Sequence, residues 1–309
     1  MSGQSDDDDR QWTIAARDEL LSLRERDCGW GYQRATASCV EPTSLAALAL
    51  RSSAREPAGE AIREAADWLA SEQRPDGSLG VSRSQPAPGW MTPYAILVWT
   101  AVGVHVDRTR RASDWLLGQK GTTMAPADDP GRIAGHDTTL VGWPWVADTH
   151  SWLEPTVLAV LALERSGFEN HPRVQEGLRL IVNREVDGGG WNYGNKAVFG
   201  RALRPQPAPT GLALLALADG RPRDRAIDRA IEYVRRVLPD VRASASLGWG
   251  LVGLDAWGER PREGGRWLSE AFATVSGRRD AAPRLAMLLL ASSGTALALF
   301  GRRSASGES

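Results

Sequence analysis

Gly142-Trp143-Pro144-Trp145-Val146-Ala147-Asp148-Thr149-His150-Ser151-Trp152-Leu153-Glu154-Pro155-Thr156-Val157-Leu158-Ala159-Val160-Leu161-Ala162-Leu163 changes character at Glu154. Before it runs an aromatic, polar loop; after it comes an Ala/Leu helix that is apolar on every face. Proline suits the first turn of a helix, where its missing N–H has no intrahelical partner. A helix without a polar stripe has no side to show to water, so this one must be enclosed by other elements.

The same start recurs. Pro42-Thr43-Ser44-Leu45-Ala46-Ala47-Leu48-Ala49-Leu50 and Pro209-Thr210-Gly211-Leu212-Ala213-Leu214-Leu215-Ala216-Leu217 share it, and a weaker copy begins at Pro93-Tyr94. The four prolines stand 51, 62 and 54 residues apart. Self-similarity at that period is the mark of a repeat architecture.

Between the apolar segments the chain reads as charged, amphipathic helices over 11–26, 59–72, 107–119, 172–184, 223–238 and 264–275. Further apolar stretches cover 247–257 and 283–300. No strand pattern stands out. Six amphipathic helices alternating with six apolar ones have a simple solution. The apolar set forms an inner ring and the amphipathic set surrounds it, giving an all-α α/α toroid of six hairpins with no exposed terminal repeat. The expected organisation is a disordered acidic tail over 1–9, one toroid domain over 10–301 and a polar tail over 302–309. Every loop that leaves an outer helix for an inner one should lie at a common end, the long loop over 121–151 included.

Net charge is −1 and hydrophobic content 42%, so bulk charge favours neither nucleic acid nor an anionic membrane. Cys28 and Cys39 form no CxxC and no disulfide framework. No signal peptide precedes the first helix, and the run over 285–300 is too short and too polar at its centre to span a bilayer. A cytoplasmic protein is expected, with peripheral membrane contact left open. Tryptophan is over-used, with 13 residues against four Phe and four Tyr, which asks for inter-helix niches or an aromatic-lined cavity.

Asp27-Cys28-Gly29-Trp30-Gly31, Glu72-Gln73-Arg74-Pro75-Asp76-Gly77-Ser78-Leu79-Gly80 and Asp187-Gly188-Gly189-Gly190-Trp191-Asn192-Tyr193 each follow an outer helix and look like degenerate QW repeats. With the Pro-initiated Ala/Leu helices, they make residues 10–301 resemble the terpenoid cyclase and protein prenyltransferase α/α toroids, in particular a squalene-hopene-cyclase-like repeat domain. The resemblance implies a polyisoprenoid held in the central cavity, with class II cyclisation started by protonation. The family's D-x-D-D acid motif is matched only formally by Asp6 to Asp9, in the tail, and Asp128-Asp129 departs from it. Neither cysteine has the Asp-x-Cys context of the prenyltransferase zinc site, so no metal or other cofactor is expected.

The densest titratable group is Asp148, His150 and Glu154, the candidate catalytic set. A carboxylic acid kept protonated by an apolar pocket, with an imidazole to relay a proton, can serve as general acid. The plainer reading is that Glu154 and its counterpart Glu41 satisfy helix N-terminal N–H groups ahead of the same Pro-Thr pair. Glu41, Tyr32, Trp90, Tyr94, Trp143, Trp145, Trp152, Trp191 and Tyr193 cluster at loop-to-inner-helix junctions and form the candidate substrate-binding set. There they either line a mouth or plug gaps between hairpins. Lys196, Arg201 and Arg204 read as solvated or diphosphate-facing; Trp68, Trp115 and Trp267 read as core, and His105 and His171 as structural. Two further functions stay in play: a non-catalytic toroid binding a lipid or partner protein, and an α/α-barrel glycosidase with two carboxylates across a cleft.

Overall fold

The computed structural model describes residues 2–53, 58–124 and 135–301, with residues 2–10 and 297 as backbone only. Asp6 to Asp9 therefore have no described side chains, and Asp128, Asp129 and the 302–309 tail fall outside the described residues. The helices are α1 (Ser2–Ser22), α2 (Val40–Ser52), α3 (Ala58–Glu72), α4 (Thr92–Val102), α5 (Val106–Gly118), α6 (Leu153–Arg165) and α7 (Pro172–Asn183). They continue as α8 (Pro207–Ala218), α9 (Arg225–Val237), α10 (Ser244–Asp255), α11 (Gly264–Val275), α12 (Ala281–Ser292) and α13 (Ala296–Phe300).

The even-numbered helices pack in the order α2, α4, α6, α8, α10, α12 and back to α2, a closed inner ring. Outer helices wedge between successive inner ones: α3 against α2 and α4, α5 against α4 and α6, α7 against α6 and α8, α9 against α8 and α10, α11 against α10 and α12. Enclosure explains the sequence of the ring. Every residue of α6 from Leu153 to Glu164 is buried except Glu154, and α4 is buried from Thr92 to Thr100. No described helix is long and apolar enough to cross a membrane.

The repeated Pro-Thr pair has a structural cause. In each copy the threonine hydroxyl clamps the loop that arrives from the outer helix. Thr43 Oγ1 accepts from Trp30 N at 2.9 Å, Thr92 from Leu79 N at 3.0 Å, Thr156 from Trp143 N at 3.0 Å and Thr210 from Trp191 N at 2.9 Å. The three tryptophans of this series then donate Nε1–H to a carbonyl near the end of the preceding outer helix: Trp30 to Leu20, Trp143 to Leu116 and Trp191 to Ile181. One ring thus ties three chain segments together and gives a carbonyl in the last turns of the outer helix a second donor beside its backbone one.

Glycine sets the closest approach in the ring. A Cβ at Gly211 of α8 would lie 2.0 Å from the Trp249 carbonyl of α10, and one at Gly253 would lie 2.5 Å from the Gly211 carbonyl. The two helices meet backbone to backbone there.

Three expectations are corrected. The apolar run over 283–300 is not one helix: α12 stops at Ser292, Gly294 takes φ 62°, and α13 turns inward to touch α2, α4, α6 and α10. Ser293, Gly294 and Thr295 form the break: the Ser292 and Ser293 hydroxyls donate to the Leu289 and Leu290 carbonyls, Thr295 bonds back to the Ser293 hydroxyl, and glycine accepts this φ freely. Phe300 is buried against Trp249, ring centroids 5.7 Å apart, so α13 plugs the axis at the end where the inner helices finish. Second, a two-residue hairpin exists where no strand was expected: β1 (Ala197–Val198) pairs antiparallel with β2 (Arg201–Ala202) across Phe199-Gly200, both at positive φ. Third, α1 begins at Ser2 and ends at Ser22, taking in the acidic stretch read as a tail.

Candidate active site

At the end opposite α13, α2 and α6 flank α4 and present Glu41, Tyr94 and Glu154 to one another. Both glutamates occupy the second position of their helices, directly before the first-turn proline. Each keeps some solvent contact, yet protein atoms crowd both carboxyls. That combination is what a side chain at the floor of a concave mouth experiences. Burial raises Glu41 above the ordinary glutamate range, and burial followed by the charge of Glu41 lifts Glu154 to about 7. Tyr32 O–H donates to Glu41 Oε2, which favours the carboxylate there and opposes the effect of burial. No hydrogen bond reaches the Glu154 carboxyl among the described residues, and neither α2 nor α6 has a side-chain cap. The two carboxyls are coupled: the charge on Glu41 helps to raise Glu154, while the Tyr32 bond opposes the effect of burial at Glu41.

The tyrosines mark the same enclosure. Tyr94 is fully buried and Tyr32, though 37% exposed, has its hydroxyl crowded by protein atoms; both hydroxyls are pushed far above their usual range, by burial first and then by Glu41. Tyr193, on the loop before α8, is raised by burial and by Glu154. Trp90 closes one wall. Its ring stands edge-on to Trp145 of the long loop at 4.6 Å and to Tyr94 at 5.9 Å, which brings that loop to the end where α4 begins. Trp152, partly exposed, lies over Gly194, where a Cβ would approach its ring to 2.8 Å.

The candidate set from the sequence divides in space. Tyr32, Glu41, Trp90, Tyr94, Trp145, Trp152, Glu154 and Tyr193 lie at the end of the ring where the inner helices begin, called the mouth below. Trp143 and Trp191 are 2% and 1% exposed and sit in the inter-hairpin niches that Trp30 also occupies; Trp191 is a plug, while Trp143 also edges a cavity of about 90 Å³ that Trp90 and Trp145 line. Arg173 covers the Trp143 ring at 4.4 Å, sealing that niche from outside. Asp148 and His150 are exposed on the long loop; Asp148 takes φ 63°, and His150 Nδ1 lies 3.1 Å from Thr122 Oγ1. No hydrogen bond joins either to Glu154 among the described residues. His171 caps α7 by accepting from Arg173 N, His105 bonds Asp67, and Trp68 and Trp267 are buried. Arg201 and Arg204 are exposed, with Lys196 half-buried beside the hairpin. No group of three or more His, Cys, Asp or Glu able to hold a metal occurs among the described residues.

Arg184 escaped the sequence reading. It ends α7, is 5% exposed, and lines a cavity beside Trp152. An arginine at the end of an amphipathic helix normally reads as solvated, and nothing in the local pattern signals that this one turns inward.

A closed ring of parallel inner helices inside an outer set, started by Pro-Thr clamps and with an acid pair at its mouth, defines an α/α toroid of the terpenoid-cyclase-like kind. Solved structures of that fold superpose along nearly the whole chain. A variant of the type II terpene cyclase MstE from Scytonema matches at TM-score 0.66 and 15% identity, covering 96% of this chain and 99% of that one. A variant of the same enzyme in complex with its substrate, geranylgeranyl dihydroxybenzoate, matches at 0.64 and 16%, with the same coverage. A protein from Actinoplanes matches at 0.63 and 16%, over 93% of this chain and 99% of that one. No protein-family model and no curated protein sequence matches the chain. At these identities the likeness is one of fold.

Proposed function

We propose that this toroid takes a polyisoprenoid into its aromatic mouth and starts a carbocation cyclisation by protonating a terminal alkene from Glu154. The observation that carries the reading is the pair of desolvated carboxyls, Glu41 and Glu154, facing Tyr94 between aromatic walls. The proton leaves Glu154 for the terminal alkene carbon, the π pair forms the new C–H bond, and a tertiary cation remains beside the new carboxylate. Successive double bonds then close rings on that cation, and loss of a proton at the end restores the balance, so no co-reactant is consumed. Tyr94, Trp90 and Trp145 offer π faces to the migrating charge, and the Glu41 carboxylate offers a fixed counter-charge. An enclosed apolar site also keeps water from intercepting the cation. MstE has been captured with a geranylgeranyl aromatic substrate and with the product merosterolic acid A in the same fold, which supports an isoprenoid ligand class.

Peripheral membrane contact of this rim is supported by Phe199, 92% exposed at the hairpin tip beside exposed Val198, Leu203 and Arg201. A non-catalytic lipid-binding toroid differs from the proposal only in turnover. Incubation of the purified protein with a panel of linear polyisoprenoids, followed by gas chromatography–mass spectrometry, decides between them. A cyclised product of unchanged mass supports the cyclase. Binding without any isomerised product supports the carrier and overturns the catalytic claim.

A further inference from the structure

Arg184 is a buried guanidinium without a counter-ion. It is 5% exposed, makes no ion pair among the described residues, and spends one hydrogen bond, from Nη1, on the Gly194 carbonyl at 3.0 Å. Its Nε–H is buried and has no partner. The nearest acidic influence is Asp137, but that carboxylate is exposed and held by its own turn, accepting from Thr139 Oγ1 at 2.6 Å and from Thr139 N at 2.8 Å. Burial accordingly draws the guanidinium down to about 10, only partly offset by Asp137. An uncompensated buried charge is among the most costly features a fold can retain, and one with an orphaned donor more so.

Arg184 opens onto a cavity of about 180 Å³. The other polar walls come from separate chain segments: Thr122, His136, Thr138, His150, Ser151 and Asn195. Among the described residues no aspartate or glutamate lines it. Several of these groups have donors to offer. Ser151 Oγ accepts from Gly142 N, which leaves its own O–H to give. His150 Nδ1 faces Thr122 Oγ1 and Thr122 O, so an imidazolium would bond Thr122 through Nδ1 and keep Nε2–H for a ligand. Donors converging from several walls suit a tetrahedral oxyanion, which accepts from every direction, better than a planar carboxylate, which accepts in one plane.

We propose that this cavity is a phosphoryl-binding site in which Arg184 is the principal counter-charge and His150 and Ser151 complete the shell. Trp152 belongs both to its lining and to the mouth, so the anion would sit next to the mouth rather than within it. The site stands on its own geometry and does not need the cyclase reading. The phosphoryl group arrives either as free diphosphate or as the head of an isoprenoid diphosphate whose chain lies in the mouth.

Isothermal titration calorimetry with inorganic diphosphate tests the site without any alkene, so its failure and the failure of cyclisation are separate results. Wild-type protein should bind. Arg184→Gln should lose at least thirtyfold in affinity, Arg184→Lys should recover part of that loss, and His150→Ala, at an exposed side chain, should lose severalfold. Geranylgeranyl diphosphate binding at least tenfold more tightly than inorganic diphosphate, with the same dependence on Arg184, identifies the head-group source; equal affinity identifies the free anion. No binding by the wild type, binding of benzoate in preference to diphosphate, or diphosphate affinity unchanged in both Arg184→Gln and His150→Ala overturns the proposal. Should Arg184→Gln fail to fold, His150→Ala alone decides.

Discussion

Tyr32 donates its hydroxyl hydrogen to Glu41, while Glu154, two inner helices further round the ring and across α4 from it, has no such donor among the described residues. Two glutamates in sequence-equivalent positions are thereby made unequal. The Tyr32 bond opposes the effect of burial at Glu41, and no bond opposes it at Glu154.

That inequality has a pH signature in stability. The Glu154 carboxyl titrates at about 7 in the fold against 4.5 in the free chain, a raised acid. Below about pH 4.5 it is protonated in both folded and unfolded states and contributes nothing. Above about pH 7 it is ionised in both, and the folded state alone bears the burial of charge, so stability falls as pH rises between those limits. Glu154→Gln removes the effect. Urea denaturation should find the variant more stable than wild type at pH 8 by on the order of 1–3 kcal/mol, and nearly equal to it at pH 4.5. A difference that does not change with pH would mean that the carboxyl is not desolvated.

The threonine clamps make a second test. Thr156→Val keeps the shape of the side chain but strands the buried Trp143 N–H, and it also removes the hydroxyl's bond to the Trp152 carbonyl at 2.6 Å. An unsatisfied buried donor costs about 1–3 kcal/mol. Chemical denaturation should show a loss of that size, with similar losses for Thr43→Val and Thr210→Val, because all three repeat the same bond to a tryptophan N–H. If only one of the three is sensitive, the clamp is not the shared device described.

The ring closure itself can be probed with glycine. Gly211→Ala would drive its Cβ into the Trp249 carbonyl and force α8 and α10 apart, at a cost of about 2 kcal/mol or more. Gly118→Ala is the control. That glycine ends α5 on an exposed face with open space at its Cβ, and the change should be neutral or stabilising by up to about 1 kcal/mol. Thermal melts of the two variants should move in opposite directions, or the first alone should fall.

Much of the fold was legible because it is written in long-range repetition. A Pro-Thr pair before an Ala/Leu run, found three times, needs neither a fine reading of periodicity nor exact helix ends, and the ring follows from alternation. The three departures share a cause. The break over 293–295, the Phe199-Gly200 hairpin and the full extent of α1 depend on single residues at segment ends, where local hydrogen bonding decides and repetition is silent. Within the site, Glu41 and Glu154 were found together because they precede the same motif, yet their inequality comes from Tyr32, nine residues upstream of Glu41 and held there by tertiary folding. Trp143 and Trp145 stand two apart in one loop. Only the structure separates them, one buried with its N–H clamped to Thr156 and the other edge-on to Trp90. Arg184 illustrates the limit most plainly, since burial of a charged helix end leaves no trace in composition or spacing.

The proton donor is the last and most exacting test. An amide cannot deliver an acidic proton, so Glu154→Gln should lower turnover of a cyclised isoprenoid by roughly a hundredfold or more, with ligand affinity little changed because the side chain keeps its size. Glu41→Gln should act differently. Removing the neighbouring anion lowers the Glu154 value toward that of an ordinary glutamate, so the alkaline limb of the pH–rate profile, where the acid loses its proton, should move to lower pH along with a loss of rate. Tyr32→Phe should do the opposite in part: without its donor Glu41 becomes the weaker anion and competes for the shared proton. The exposed loop supplies the rival donor that the sequence suggests. A fall for Asp148→Asn or His150→Ala as large as that for Glu154→Gln, with affinity held constant, would place the acid in the loop over 121–151. Equal rates for wild type and Glu154→Gln would remove the mouth as the site of protonation. A hundredfold loss confined to Glu154→Gln, together with a displaced pH profile in Glu41→Gln, is the outcome the geometry of the two inner helices requires.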